Sequence, residues 1–238
     1  MKRVLITGAS SGIGQQLALD YAAHGWQVTA CGRNETRLAA LREQHSAITP
    51  LCFDVTDLVA TREALATSTA ELVILCAGTC EYLNDGVVDA ELVARVLSTN
   101  LLGPVNCLDA LLPRLQAGSR VALVGSTASL VPLPRAEAYG ASKAALAYFA
   151  RSLAVDLTKR GISISLILPG FVATPLTDRN DFAMPMIITP AQASTYIRQG
   201  LAKGRAEIAF PPVFAALLRI TAILPQALQR WLAKRMVR

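Results

Sequence analysis

The chain has 238 residues, 53% hydrophobic and 17% charged, with 23 lysines and arginines against 17 acids and a net charge of +6. This excludes a disordered or fibrous protein and leaves one domain spanning 1–238 as the expectation. The charge does not point to nucleic acid, and no such partner is expected: no acid follows Glu207, whereas Arg219, Arg230, Lys234, Arg235 and Arg238 do, so the excess belongs to the tail.

Short apolar runs alternate with helical patterns. "RVLIT" precedes a helix near 12–24, "QVTAC" a helix near 34–45, and "ITPLCF" a helix near 57–67. Then come "ELVILCA", helical patterns near 88–116, "RVALVG", a helix near 139–160, and "ISISLIL". The strand runs are apolar throughout, as expected where helices cover both faces of a parallel sheet. The alternation predicts an α/β, doubly wound parallel sheet.

Lys2 and Arg3 precede only "VLIT" before Gly8, too short for the apolar core of a secretion signal, and no stretch offers the ~18 apolar residues of a membrane span. The five cysteines, Cys31, Cys52, Cys76, Cys80 and Cys107, form no CxxC pair and read as buried, reduced thiols of a cytoplasmic protein. His24 and His45 have no partner at ligand spacing, and no metal site is expected.

"TGASSGIG", Thr7 to Gly14, falls between the first strand and the first helix. Gly8, Gly12 and Gly14 allow a sharp turn and close approach to a pyrophosphate, with Ser10, Ser11 and Ile13 between them offering backbone N–H groups at the helix start. A bare glycine turn is the alternative. The second strand ends "CGRN", with Gly32 where an acid that binds ribose hydroxyls is expected and Arg33 and Asn34 following. A guanidinium there suits the extra phosphate of NADP, and no carboxylate at that strand end repels it, so NADP(H) is favoured over NAD(H).

In "EAYGASKAAL", Tyr139 and Lys143 stand four apart and share a helix face. An ammonium beside a phenol is expected to lower its pKa, giving a proton donor and acceptor for carbonyl–alcohol chemistry. Alone, the pair could be an ordinary exposed one. With "TGASSGIG", "FDVTD", "LCAG" at 75–78, "NLLG" from Asn100, "GSTAS" around Ser126, "YGASK" and "PGFVAT", the chain resembles the short-chain dehydrogenase/reductase family from Lys2 to about Thr174.

That resemblance implies a Rossmann-type fold and an NAD(P)-dependent oxidoreductase. Tyr139 would be the acid/base, and Ser126, thirteen residues earlier, would hold the reacting oxygen. Lys143 would hold the nicotinamide ribose, and Asn100 would link the lysine to solvent. Asp54 and Val55 would meet the adenine ring, Cys76, Ala77 and Gly78 its ribose, and Pro169, Val172 and Thr174 the nicotinamide. Asp54 could instead cap a helix, Asn100 bridge helices, and Thr174 shape a turn. The family shows "NNAG" where this chain has Leu75-Cys76-Ala77-Gly78, so hydrogen bonding beside the fourth strand must be supplied otherwise or lost. The resemblance also implies a small-molecule substrate and a homodimer or homotetramer.

Residues 171–190, with Pro175, Pro185 and Pro190, read as a functional loop, and the substrate lid is expected within 171–200. Phe171, Leu176, Phe182, Met184, Met186 and Ile187 suit a hydrophobic substrate, or pack the lid shut. Over 210–238, Leu228, Trp231, Leu232 and Met236 share one helical face, with Arg230, Lys234 and Arg238 on another. That basic, amphipathic tail fits packing on the protein, a subunit contact, or peripheral contact with a membrane. Two other functions stay open: a nucleotide-binding regulatory protein with little turnover, and a peripheral membrane reductase of lipid-derived carbonyls.

Overall fold

The computed structural model describes residues 2–235; Met236 and Arg238 of the expected amphipathic tail lie outside them. The first half alternates strictly: β1 (Arg3–Thr7), α1 (Gly12–Ala23), β2 (Gln27–Gly32), α2 (Glu35–Gln44), β3 (Ile48–Cys52), α3 (Leu58–Leu65) and β4 (Leu72–Leu75). The helical patterns expected near 88–116 are α4 (Ala90–Leu97), a wide π-helical turn (Ser98–Leu102) and α5 (Gly103–Leu111). Then follow β5 (Arg120–Val124), α6 (Glu137–Leu157), β6 (Ser163–Pro169), α7 (Pro190–Ala202), β7 (Glu207–Phe210), α8 (Pro212–Ala222) and α9 (Gln226–Lys234).

The strands form one parallel sheet in the order β3-β2-β1-β4-β5-β6-β7. After β3 the chain returns to the other side of β1, so the carboxyl ends of β1 and β4 flank the point where the winding reverses. A crevice opens there because the adjoining connections leave in opposite directions. Period-two alternation divides the core into two layers. Val4, Ile6, Ile74, Ala122 and Ile167 pack with Leu17 of α1, Leu38 of α2 and Ile197 of α7. Leu5, Val73, Leu75, Val121 and Leu123 face the other way, onto Leu65, Leu108 and Leu146 of α3, α5 and α6. Strands buried on both faces account for the unbroken apolar runs in the sequence.

Side chains cap the helices: Asn34 accepts from Arg37 N at 2.9 Å for α2, and Asp57 from Ala60 N for α3. The α3 cap is therefore Asp57, not Asp54. Residues 190–200, expected within the lid, form most of α7, whose start carries a capping box between Thr189 and Gln192. Cys31 and Cys107 are buried as expected, but Cys52 is exposed, because β3 is the sheet edge. Among the described residues no helix is long and apolar enough to cross a membrane.

Candidate active site

One cavity of about 650 Å³ runs along the carboxyl ends of the strands. The phosphate loop, the β2 end and the β3 end form one half; Ser126, Tyr139, Lys143 and the segment after β6 form the other. Every residue expected from the sequence to act in the site lines it except Asn100.

The loop after β1 depends on its glycines. Gly8 has φ +67°, and a Cβ there would meet Ala77 Cα at 2.8 Å. A Cβ on Gly14 would strike the Gly8 carbonyl oxygen. The Ser11 side chain makes no capping bond, so the first N–H groups of α1 are directed to the cavity without a side-chain acceptor from that residue. Gly12, at φ +57°, packs against the Thr174 methyl, which joins the phosphate loop to the segment after β6. Thr174 also shapes a turn, its N–H donating to Thr177 Oγ1 at 2.9 Å.

At the other end of the loop, Arg33 lines the cavity but has a carboxylate beside it. Its NH1 donates to Asp54 Oδ2 at 3.3 Å. The expectation that no acid opposes a phosphate at this position is therefore corrected: the acid comes from the end of β3, which the sheet sets beside the end of β2. Burial pushes the Asp54 pKa up, but hydrogen bonds from Thr56 and the Arg33 charge outweigh it and hold the carboxyl below its ordinary value. Arg37, one turn into α2, lines the same corner and was not anticipated, although four-residue spacing from Arg33 was a readable signal. Asn34 lines it too, while its side chain caps α2.

The "LCAG" segment is anchored through its backbone. Thr7 Oγ1 accepts from Cys76 N at 3.0 Å and Ala77 N at 3.2 Å, fixing the chain after β4 to the end of β1. Asn100 works one layer behind the cavity wall. Fully buried in the π-helical turn, it accepts from Thr79 N at 2.8 Å and donates to Thr79 O and to Ser142 Oγ, both at 2.9 Å. It thus bridges the loop after β4 to α6, the alternative weighed for it from sequence. Ser142 was missed because a small residue between Tyr139 and Lys143 carries no signal of its own.

Lys143 is buried, with Nζ donating to Val124 O at 2.9 Å and standing 5.8 Å from the Tyr139 ring centre. Burial lowers its pKa to about 8. Tyr139 moves opposite to expectation: burial pushes it up to about 12, the Ser126 hydrogen bond pulls it down, and Lys143 does not offset the burial. Shared helix face placed the ammonium near the ring, but desolvation of the phenolate is the larger effect. Tyr139 therefore holds its proton at neutral pH and is set up as an acid.

The segment after β6 is tied over the cavity by contacts that the sequence did not reveal. Arg135, at φ +64°, donates to Asn84 Oδ1 at 3.0 Å and to Asp181 Oδ1 at 2.7 Å, and lies over the Tyr82 ring. Tyr82 donates to Asn180 Oδ1 at 2.8 Å. Phe182 packs edge-on against Tyr82 and Phe171, so part of the apolar content is used in internal packing. Leu176 and Arg179 line the cavity.

The chain matches the family described as short chain dehydrogenase over residues 2–183. An uncharacterized oxidoreductase of Myxococcus xanthus is 37% identical over 246 residues, covering 99% of this chain and 97% of its own. A serine 3-dehydrogenase of Agrobacterium fabrum is 36% identical over 187 residues, 73% of each chain. The structure of a short chain dehydrogenase/reductase from Burkholderia phymatum in complex with NAD superimposes with a TM-score of 0.82 over 92% of each chain at 21% identity, a likeness of fold. This chain belongs to the short-chain dehydrogenase family and is an NAD(P)-dependent oxidoreductase.

Proposed function

We propose that the protein interconverts a carbonyl and an alcohol with NADP(H), Tyr139 moving the proton and Ser126 holding the reacting oxygen. The observation that carries this reading is the single cavity lined by Ser126, Tyr139 and Lys143 at one end and by the phosphate loop with Arg33 and Arg37 at the other. The residues fit a dinucleotide: Gly8 and Gly14 leave a cradle that side chains would fill, and the N–H groups at the start of α1 suit a pyrophosphate. When bound, the nicotinamide supplies the hydride chemistry. Ser10, Ser11 and Ile13 are assigned to the phosphates, Asp54, Val55, Cys76, Ala77 and Gly78 to the adenosine, and Pro169, Val172 and Thr174 to the nicotinamide end.

Arg33 and Arg37 favour NADP over NAD, since two guanidiniums at one corner exceed the single Asp54 charge. In the reducing direction Tyr139 Oη gives its proton to the oxygen of the former carbonyl, and Ser126 Oγ holds that oxygen in place. Lys143 binds the ribose and keeps a positive charge near the phenol. Asn100 positions Lys143 and Tyr139 through Ser142 rather than touching the reacting atoms.

Exposed Phe182, Met186 and Ile187 support a lid over 171–189 that favours a hydrophobic substrate. Exposed Tyr148 and Val155 on α6 support a dimer or tetramer built through that helix. Five free cysteines support a cytoplasmic site of action. Tyr139→Phe tests the chemistry. NADPH oxidation against a panel of aldehydes and ketones is expected to fall by at least about 10²–10⁴-fold, with NADPH still quenching or shifting protein fluorescence. Retained turnover would remove the phenol from the mechanism.

A further inference from the structure

The two C-terminal helices bury little outside one edge. On α8 only Ala215 is buried, while Phe214 reaches inward over Gly170, where a Cβ would come within 2.8 Å of its ring. The other face of α8 carries Val213, Leu217 and Ile220, spaced four and three apart and all exposed. The stripe continues through Ile223, 82% exposed between the helices, to Leu228 and Trp231 on α9, which has no buried residue. Scattered exposed apolar residues are ordinary, but six large ones between 213 and 231 on two consecutive helices and their turn mark a surface that something covers.

The charges around the stripe say what. Neither helix contains an acid, and none follows Glu207. Glu207 is already engaged by Arg151 at 2.9 Å and Arg219 at 2.6 Å. Arg230, Lys234 and Arg235 flank the apolar residues, and Arg235 lies over the Trp231 ring at 3.9 Å. A second copy meeting this face through two-fold symmetry would set these cations against their own counterparts with no acid to pair them. An anionic bilayer supplies both components, apolar depth for the stripe and negative charge for the rim. At 11 and 9 residues, α8 and α9 are too short to span a bilayer and suited to lying in its surface.

We propose that α8 and α9 dock this protein on the surface of an anionic phospholipid bilayer, through Leu217, Ile220, Ile223, Leu228 and Trp231, with Arg230, Lys234 and Arg235 on the headgroups. The docked helices are coupled to the catalytic cleft. Phe214 packs on Phe171 with ring centres 5.7 Å apart, Phe171 on Phe182 at 6.1 Å, and Phe182 on Tyr82 at 5.7 Å, an aromatic chain from α8 into the segment over the cavity.

Sedimentation of the full chain with vesicles tests the docking without reference to catalysis, so its outcome is independent of the proposed chemistry. Binding is expected to phosphatidylglycerol-containing vesicles at low salt, to weaken at high salt, and to be far weaker on phosphatidylcholine alone. Replacing Arg230, Lys234 and Arg235 together with Gln should weaken binding about a hundredfold at low salt, from about fivefold per cation. These side chains are exposed, so that variant should unfold at the same temperature as the parent. Ile223→Ser with Trp231→Ser should abolish binding at any salt. No sedimentation with phosphatidylglycerol vesicles at low salt overturns the proposal, as does equal binding to both lipids. A parent dimer that the Ile223 and Trp231 changes convert to monomer, without vesicle binding by the parent, also overturns it and assigns the stripe to a protein contact.

Discussion

Lys143→Met should stabilise the fold at neutral pH while abolishing activity. Burial lowers the Lys143 pKa from the ordinary 10.5 to about 8. One pH unit corresponds to about 1.4 kcal/mol, so carrying this charge costs the native state of the order of 3 kcal/mol at pH 7. Methionine keeps the unbranched length and removes the charge, but leaves the Val124 carbonyl without its 2.9 Å donor, which returns about 1–3 kcal/mol of that gain. The net change at pH 7 is thus a stabilisation of about 0–2 kcal/mol, and its pH dependence is the sharper signature. Between pH 8 and 10.5 the unfolded wild type binds a proton that the native state has lost, so wild-type stability rises with pH across that window. The variant has no such group, and its advantage should shrink by about 3 kcal/mol from pH 7.5 to 10.5 and change sign. Urea unfolding of both proteins at half-unit steps measures the difference, in which all other titrating groups cancel. A difference that stays constant to pH 10.5 would mean that Lys143 is not desolvated, and the reasoning would fail.

Arg33→Ala should weaken NADPH by about 1.5–3 kcal/mol and NADH by much less, measured by fluorescence titration; equal losses would show that Arg33 does not read the phosphate. Asp54→Asn, which can keep the Thr56 bonds, should tighten NADPH by up to about 1 kcal/mol by freeing a largely exposed Arg33, and unchanged affinity would mean that the pair does not compete with phosphate. Thr7→Val removes the acceptor for Cys76 N and Ala77 N and should cost about 1–3 kcal/mol in urea unfolding. The rate of carbonyl reduction should stay level through neutral pH and fall above about pH 8 as Lys143 loses its charge, with no break from Tyr139 below pH 10; a break near pH 10 with none near 8 would mean that burial shifts neither group.

The sheet was legible as far as β6 because strands buried on both faces write themselves as unbroken apolar runs, and "RVALV" could hardly be anything else. β7 was not, since "EIAF" is four residues long and alternates in burial. α7 was hidden by its prolines, although Thr189, Pro190 and Gln192 spell a capping box with proline at the first helical position, a helix start that composition alone disguised as loop. In the site, spacing gave Tyr139 and Lys143, because four residues on a helix fix a face, while Ser126 came from the family resemblance. Spacing gave nothing about solvent, and the direction of the Tyr139 shift depends on solvent. The Arg33–Asp54 pair is a contact across neighbouring strands, 21 residues apart, and exists only once β2 and β3 are in register at Gly32 and Cys52.

The π-helical turn at Ser98–Leu102 makes the length of the chain here a functional quantity. Such a turn holds one residue more than the α-helical path between the same ends, and Asn100 is seated in it. Deleting a single residue from 98 to 102 would let α4 run smoothly into α5, a locally more regular helix. The ends of α4 and α5 would keep their places, but the residues within the turn would shift along it, and the amide would leave Thr79 and Ser142. A shorter, better-formed helix would therefore be a worse enzyme, and no point substitution at the cavity surface would reveal it.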